Sequence, residues 1–227
     1  GFTLDQMKKT VEKVAKKHNI TGLQAAKSIL SMIVDTGNDC IAKAARHNMT
    51  LKSVQERLVR HMFTHRGAIV AFDVGVGKTL TAVTTCECLR KQALLFGKEI
   101  EIIIVTPTSL QDNFKKEIRA YGADPSSGNY KFYTIDTFSR RLKEGNLSCE
   151  NSLVVIDEGH NLKKDYRNEF TASFMQGHVQ KDTRAEVAID CSKTAWKTVI
   201  LTATPIYNRV HDIVNLAAMA RGEDPLD

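Results

Sequence analysis

The sequence predicts an α/β fold, a doubly wound and mostly parallel sheet, from three observations. Short apolar runs rich in β-branched residues recur at 68–72, 99–105, 130–135, 152–156 and 198–201. Strands covered on both faces read as such near-continuous runs. Stretches with helical spacing separate them, and this alternation implies right-handed crossovers with helices on both faces of the sheet. Four of the runs also lead into chemically marked sequences at 75–79, 106–108, 157–160 and 202–204. Doubly wound sheets gather their ligands at those strand ends.

The elements follow in order. Leu4, Met7, Val11, Val14 and Ala15 repeat at helical spacing, with Lys8, Lys9, Lys13, Lys16 and Lys17 around the other sides. Residues 20–22 break that helix. A second apolar stretch, 23–34, runs into a predicted turn at 35–38, and 40–46 reads as a third, short helix. Residues 1–48 form a small helical appendage in this reading, and 49–227 the main lobe. An amphipathic helix over 51–63 precedes the first strand. The strand at 68–72 enters a turn containing Gly75 and Gly77, and helical spacing resumes to about 94. The strand at 99–105 is followed by Ser109, placed to cap a helix over 110–120. Gly, Pro and Ser make 122–129 a loop. A strand at 130–135 and a short helix at 137–143 follow. Beyond the strand at 152–156, residues 163–192 are polar and poorly periodic, read as part helical and part mobile. A last strand at 198–201 leads to an amphipathic helix over 209–219.

Composition sets bounds on function. A chain of 227 residues with 42% apolar and 26% charged residues builds one large domain, here with its appendage. No apolar run approaches the roughly 18 residues that a membrane span needs, and the N-terminus is basic without an apolar segment. A soluble, intracellular protein with no membrane partner is expected. The five cysteines are scattered, and Cys86 and Cys88 on one helix point about 200° apart, poor zinc geometry. Reduced core thiols are expected throughout. Net charge is +6, and residues 1–50 carry eight Lys/Arg against four Asp/Glu. The basic excess is thus concentrated at the front, where the lysine face suits nucleic acid or simply a solvated helix.

The strand–glycine–helix stretch carries the clearest chemistry. Gly75 and Gly77 let successive N–H groups converge, and the positive end of a helix dipole faces the same hollow. Gly75, Val76, Gly77, Lys78, Thr79 and Leu80 therefore form a predicted phosphate cradle. Lys78 reaches β/γ oxygens and the Thr79 hydroxyl is left for Mg²⁺. One departure is Phe72, where such loops usually open on a glycine or another small residue. At the later strand end, Asp157 is suited to hold Mg²⁺ and Glu158 to orient and deprotonate an attacking water.

These residues resemble the first RecA-like lobe of superfamily 2 helicases and translocases, closest to the SWI/SNF-type ATPases. Val155-Ile-Asp-Glu-Gly-His-Asn-Leu-Lys163 is similar to that group's second motif, and Leu201-Thr-Ala-Thr-Pro-Ile-Tyr-Asn208 to its third. Ile104-Val-Thr-Pro-Thr-Ser-Leu110 resembles motif Ia, and Ile135-Asp-Thr-Phe138 more weakly Ib. The resemblance implies ATP and Mg²⁺ as cofactors, with Gln55, 23 positions before Lys78, on the adenine edge. It gives His160, Thr202 and Thr204 a coupling role, and Thr106, Thr108 and Thr137 contacts to a nucleic-acid backbone without reading sequence. It further implies duplex DNA as partner, and a second RecA-like lobe carrying an arginine finger, which this chain lacks. The 45 positions from Asp157 to Thr202 exceed the family's usual spacing, so 165–192 reads as an insertion. The alternative from another class is a non-hydrolysing module that grips nucleic acid or a protein partner.

Overall fold

The computed structural model describes residues 4–46, 53–71, 77–157, 184–202, 217 and 220–222. Five strands form one sheet: β1 (Gly67–Ala71), β2 (Glu101–Val105), β3 (Tyr130–Tyr133), β4 (Ser152–Asp157) and β5 (Lys197–Thr202). Their spatial order is β1-β5-β4-β2-β3, and every pairing is parallel. The helices are α1 (Leu4–His18), α2 (Gly22–Arg46), α3 (Ser53–Thr64), α4 (Lys78–Leu95), α5 (Thr108–Tyr121), α6 (Ile135–Lys143) and α7 (Arg184–Thr194). The predicted doubly wound fold is the one found.

Two-residue periodicity assigns the faces. Ile102, Ile104, Leu153, Val155, Val199 and Leu201 pack with side chains of α3, α4 and α5. Their alternates Ile103, Val105, Val154, Ile156 and Ile200 pack with α6 and α7. Continuous apolar runs were required because both faces are covered. Helix α4 is buried on nearly every side over 81–89, since α2, α3 and α5 also pack against it.

The appendage forms a third layer. Cys40 of α2 meets Val59 of α3 and Cys88 of α4, and the Tyr121 hydroxyl donates to the Cys40 carbonyl at 3.2 Å. The predicted turn at 35–38 and separate helix at 40–46 are corrected here, because α2 runs unbroken through both. Thr36 donates to the Met32 carbonyl at 2.8 Å within the helix. Burial of Ala25, Ile29 and Cys40 outweighs the roughly 1 kcal/mol a helical glycine costs. A second correction concerns α5. It opens at Thr108 behind Pro107, with no side-chain cap, so Ser109 is not its cap.

The third correction concerns the cysteines. Cys40, Cys86 and Cys88 are free and buried, but Cys149 and Cys191 form a disulfide with 5.4 Å between Cα atoms. An antiparallel bridge between Glu150 and Ala195 sets the two segments side by side, and the cysteines meet across 42 positions of sequence. The insertion assigned to 165–192 lies largely outside the described residues, as does most of the 209–219 helix; α7 occupies the insertion's described end. No helix among the described residues is long and apolar enough to cross a membrane.

Candidate nucleotide site

The site stands at the carboxyl ends of β1, β5 and β4. Register places Ala71 beside Thr202, and Leu201 beside Asp157, so the first strand's exit and the acidic strand end lie one strand apart. From there the chain enters α4 through Gly77, whose φ of 69° is left-handed. A Cβ at Gly77 would come within 2.9 Å of the Gln55 side-chain nitrogen, so a larger residue would also have to displace Gln55.

Asp157 is buried, its side chain only 1% exposed, and Lys78 Nζ lies 2.7 Å from its Oδ1. Burying a carboxylate costs several kcal/mol unless a cation and hydrogen bonds offset it. Both are present, because Thr106 Oγ1 donates to Asp157 Oδ2 at 3.0 Å. Parity and register produce that bond. Val105 pairs with Ile156, so the next residues, Thr106 and Asp157, stand side by side on the α4 face. The carboxylate thus holds a cation on one oxygen and a fixed donor on the other.

Around Gly77 the contacts converge on one carbonyl. It accepts from the Thr81 amide at 3.0 Å, the Thr81 hydroxyl at 2.9 Å and Gln55 Nε2 at 3.4 Å. Gln55 is buried on α3 and reaches the Gly77 turn directly. Thr79 Oγ1, in the first turn of α4, accepts from Asn113 Nδ2 of α5 at 3.2 Å.

A buried carboxylate already bearing a cation, and a hydroxyl at the positive end of a helix, are the hard oxygen donors that Mg²⁺ takes few at a time. Among the described residues no cluster of three or more His, Cys, Asp or Glu offers an all-protein cage. The donors present fit Mg²⁺ held jointly with a nucleotide phosphate.

The three threonines predicted for a nucleic-acid track separate. Thr106 is 1% exposed and its hydroxyl is given to Asp157. Thr134 caps α6: its Oγ1 accepts from the Thr137 amide at 3.3 Å and donates to the Thr137 hydroxyl at 3.2 Å. Thr108 is exposed at the start of α5. Thr202 ends β5, while Gly75, Val76, Glu158, His160 and Thr204 lie outside the described residues. Sequence reasoning missed Asn113 altogether. It also missed the inward role of Thr106, which the matching parity of two adjacent strand ends signals.

Comparison with known proteins extends these findings. The chain is 30% identical over 165 residues to the uncharacterized ATP-dependent helicase YqhH of Bacillus subtilis, covering 68% of this chain and 26% of that protein. It is 30% identical over 161 residues to the human DNA repair and recombination protein RAD54B, covering 66% of this chain and 17% of that protein. It therefore spans about a quarter or less of those relatives' lengths. The solved SWI2/SNF2 ATPase core of Sulfolobus solfataricus, in complex with dsDNA, shares the fold with a TM-score of 0.51 at 19% identity. That match covers 78% of this chain and 36% of the solved one. The model of the SNF2-related domain matches residues 45–223, and the chain belongs to that family.

Proposed function

We propose that this chain is the Mg-ATP-binding lobe of a nucleic-acid-dependent ATPase that moves along duplex DNA. The observation that carries the reading is the Lys78–Asp157 contact of 2.7 Å, made by the end of the glycine turn and the end of β4. Lys78 moves from the carboxylate to the β/γ-phosphates when nucleotide enters, leaving Asp157 and Thr79 to the metal. When bound, Mg²⁺ neutralises phosphate charge. Gln55 bonds the adenine edge, Gly75, Val76, Gly77 and Leu80 line the nucleotide, and Glu158 orients the water. His160, Thr202 and Thr204 link that site to the nucleic-acid track.

On the track, Thr108 offers an exposed hydroxyl and Thr137 a place in the first turn of α6, which Thr134 caps, both positioning a phosphate backbone. DNA is favoured as the partner by the repair function in the name of RAD54B and by the dsDNA in the solved SWI2/SNF2 core. An intracellular setting follows from those substrates. The converged Lys78 and Asp157 favour this enzyme over a binding module that does not hydrolyse.

A second RecA-like lobe completes the site with an arginine, a contribution of about 10³–10⁵ in rate for arginine fingers generally. The 227 residues alone are expected to bind ATP and turn it over slowly, with or without DNA. Joined to a second lobe they gain DNA-stimulated hydrolysis, which Glu158→Gln abolishes while ATP binding persists. A steady-state phosphate-release assay on both forms decides this. Brisk turnover by the lone lobe, lost in Glu158→Gln, would overturn the two-lobe mechanism.

A further inference from the structure

We propose that one stretch, from the end of β2 into α5, positions both protein ligands of the metal: Thr106 orients the Asp157 carboxylate and Asn113 orients the Thr79 hydroxyl. The inference rests on the nucleotide-site reading above and deepens it.

Two independent hydrogen bonds carry it. Asp157 divides its oxygens, Oδ1 to Lys78 and Oδ2 to Thr106. The lysine is a replaceable cation, whereas the Thr106 hydroxyl is buried and fixed by strand register. Departure of Lys78 toward phosphate therefore leaves a carboxylate whose plane is still set and whose free oxygen faces the site.

Thr79 shows the same logic by contrast with its neighbours on α4. The hydroxyls of Thr81 and Thr85 turn back onto the carbonyls of Gly77 and Thr81, at 2.9 and 2.8 Å. Such back-bonding is a common outcome for a threonine inside a helix. The Thr79 hydroxyl instead accepts a bond at 3.2 Å from Asn113, on another helix. One of its two lone pairs is so occupied, and the other remains for a cation.

The two donors lie seven positions apart on one continuous segment, and the exposed Thr108 lies between them. Metal occupancy and the placement of the start of α5 are thereby linked. Thr106 and Asn113 are positioning residues, since they act through Asp157 and Thr79. Partners of this kind around metal ligands typically contribute about 10–100-fold in metal affinity.

The test is calorimetric titration of the 227-residue chain with ADP, in Mg²⁺ and in EDTA. Thr106→Val and Asn113→Ala are each expected to reduce the Mg²⁺-dependent gain in ADP affinity about tenfold, with affinity in EDTA unchanged. Thr106→Ser keeps the donor and should restore the gain. Asn113 is exposed, so its variant tests the idea free of core disruption. A Mg²⁺ gain equal to the parent's in both variants would overturn the proposal. So would parallel loss of affinity in Mg²⁺ and EDTA, the mark of a general packing role. If the parent binds ADP without any Mg²⁺ gain, this proposal fails while nucleotide binding stands; if it binds no ADP at all, both readings fail.

Discussion

Each end of the sheet holds a lysine, half-buried at one end and buried at the other, and the two ends use it differently. At the carboxyl end Lys78 rests on the carboxylate of Asp157, with its side chain 19% exposed. At the amino end Lys197, 1% exposed, donates to the carbonyls of Met62 and His65, at the end of α3 and just past it. Arg66 beside it donates to the carbonyls of Ser192, Lys193 and Ala195 around the end of α7. A helix terminus leaves its last carbonyls without partners inside the helix, and a cation satisfies several while meeting the negative end of the dipole. The amino-end cations therefore complete helices, whereas Lys78 neutralises a buried carboxylate, which the proposed nucleotide and its metal would take over. On the proposed reading, a half-buried lysine resting on a carboxylate beside a glycine turn belongs to a binding site. Bonded only to carbonyls, it marks a helix end.

The largest effect expected from breaking this contrast is on stability. Arg66→Ala and Lys197→Ala each orphan at least two backbone carbonyls, and every unsatisfied buried group costs about 1–3 kcal/mol. Losses of about 3–5 kcal/mol are expected in chemical denaturation, with ADP affinity unchanged for the molecules that remain folded. A loss below about 1 kcal/mol would show that solvent replaces these cations without difficulty.

A smaller effect, and of the other kind, is expected at Lys78. Charge-assisted bonds to phosphate contribute about 1.5–3 kcal/mol each, so Lys78→Ala should weaken nucleotide binding at least tenfold by calorimetry. Asp157→Asn removes the buried charge that needs a cation, and combining the two substitutions should recover stability but not affinity. Unchanged affinity in Lys78→Ala would end the assignment of the phosphate cradle.

The smallest effect sharpens the comparison through pH. Burial pushes the Lys197 ammonium down to about 8, below its usual value near 10.4. The unfolded chain then binds the proton more tightly than the folded one, so stability rises as pH climbs between those values. From pH 7.5 to 9 the gain is about 1 kcal/mol. Lys197→Met lacks it, and the stability difference between parent and variant should grow in the parent's favour over that range. Burial also raises Tyr121 and Tyr130, but these titrate alike in both proteins and cancel in the difference. A constant difference would place the Lys197 proton outside this range.

The sequence by itself determined the sheet and its parallel sense, and it located the glycine turn proposed to cradle phosphate. Runs such as 102–105 and 153–156 are apolar at every position because both faces are covered, and periodicity records that directly. Glycine before lysine and threonine is equally local, since one backbone turn requires it. What tertiary structure alone decided lies between elements. Asp35, Thr36, Gly37 and Asn38 read as a turn, yet contacts to α3 and α4 hold α2 helical through them. Cys149 and Cys191 become partners across 42 positions because a bridge aligns their segments. Thr106 faces Asp157 through strand register, and Asn113 reaches Thr79 across two helices. Local propensity acts over a few residues, whereas these contacts depend on how elements distant in sequence are packed, and pattern in one sequence carries no record of it.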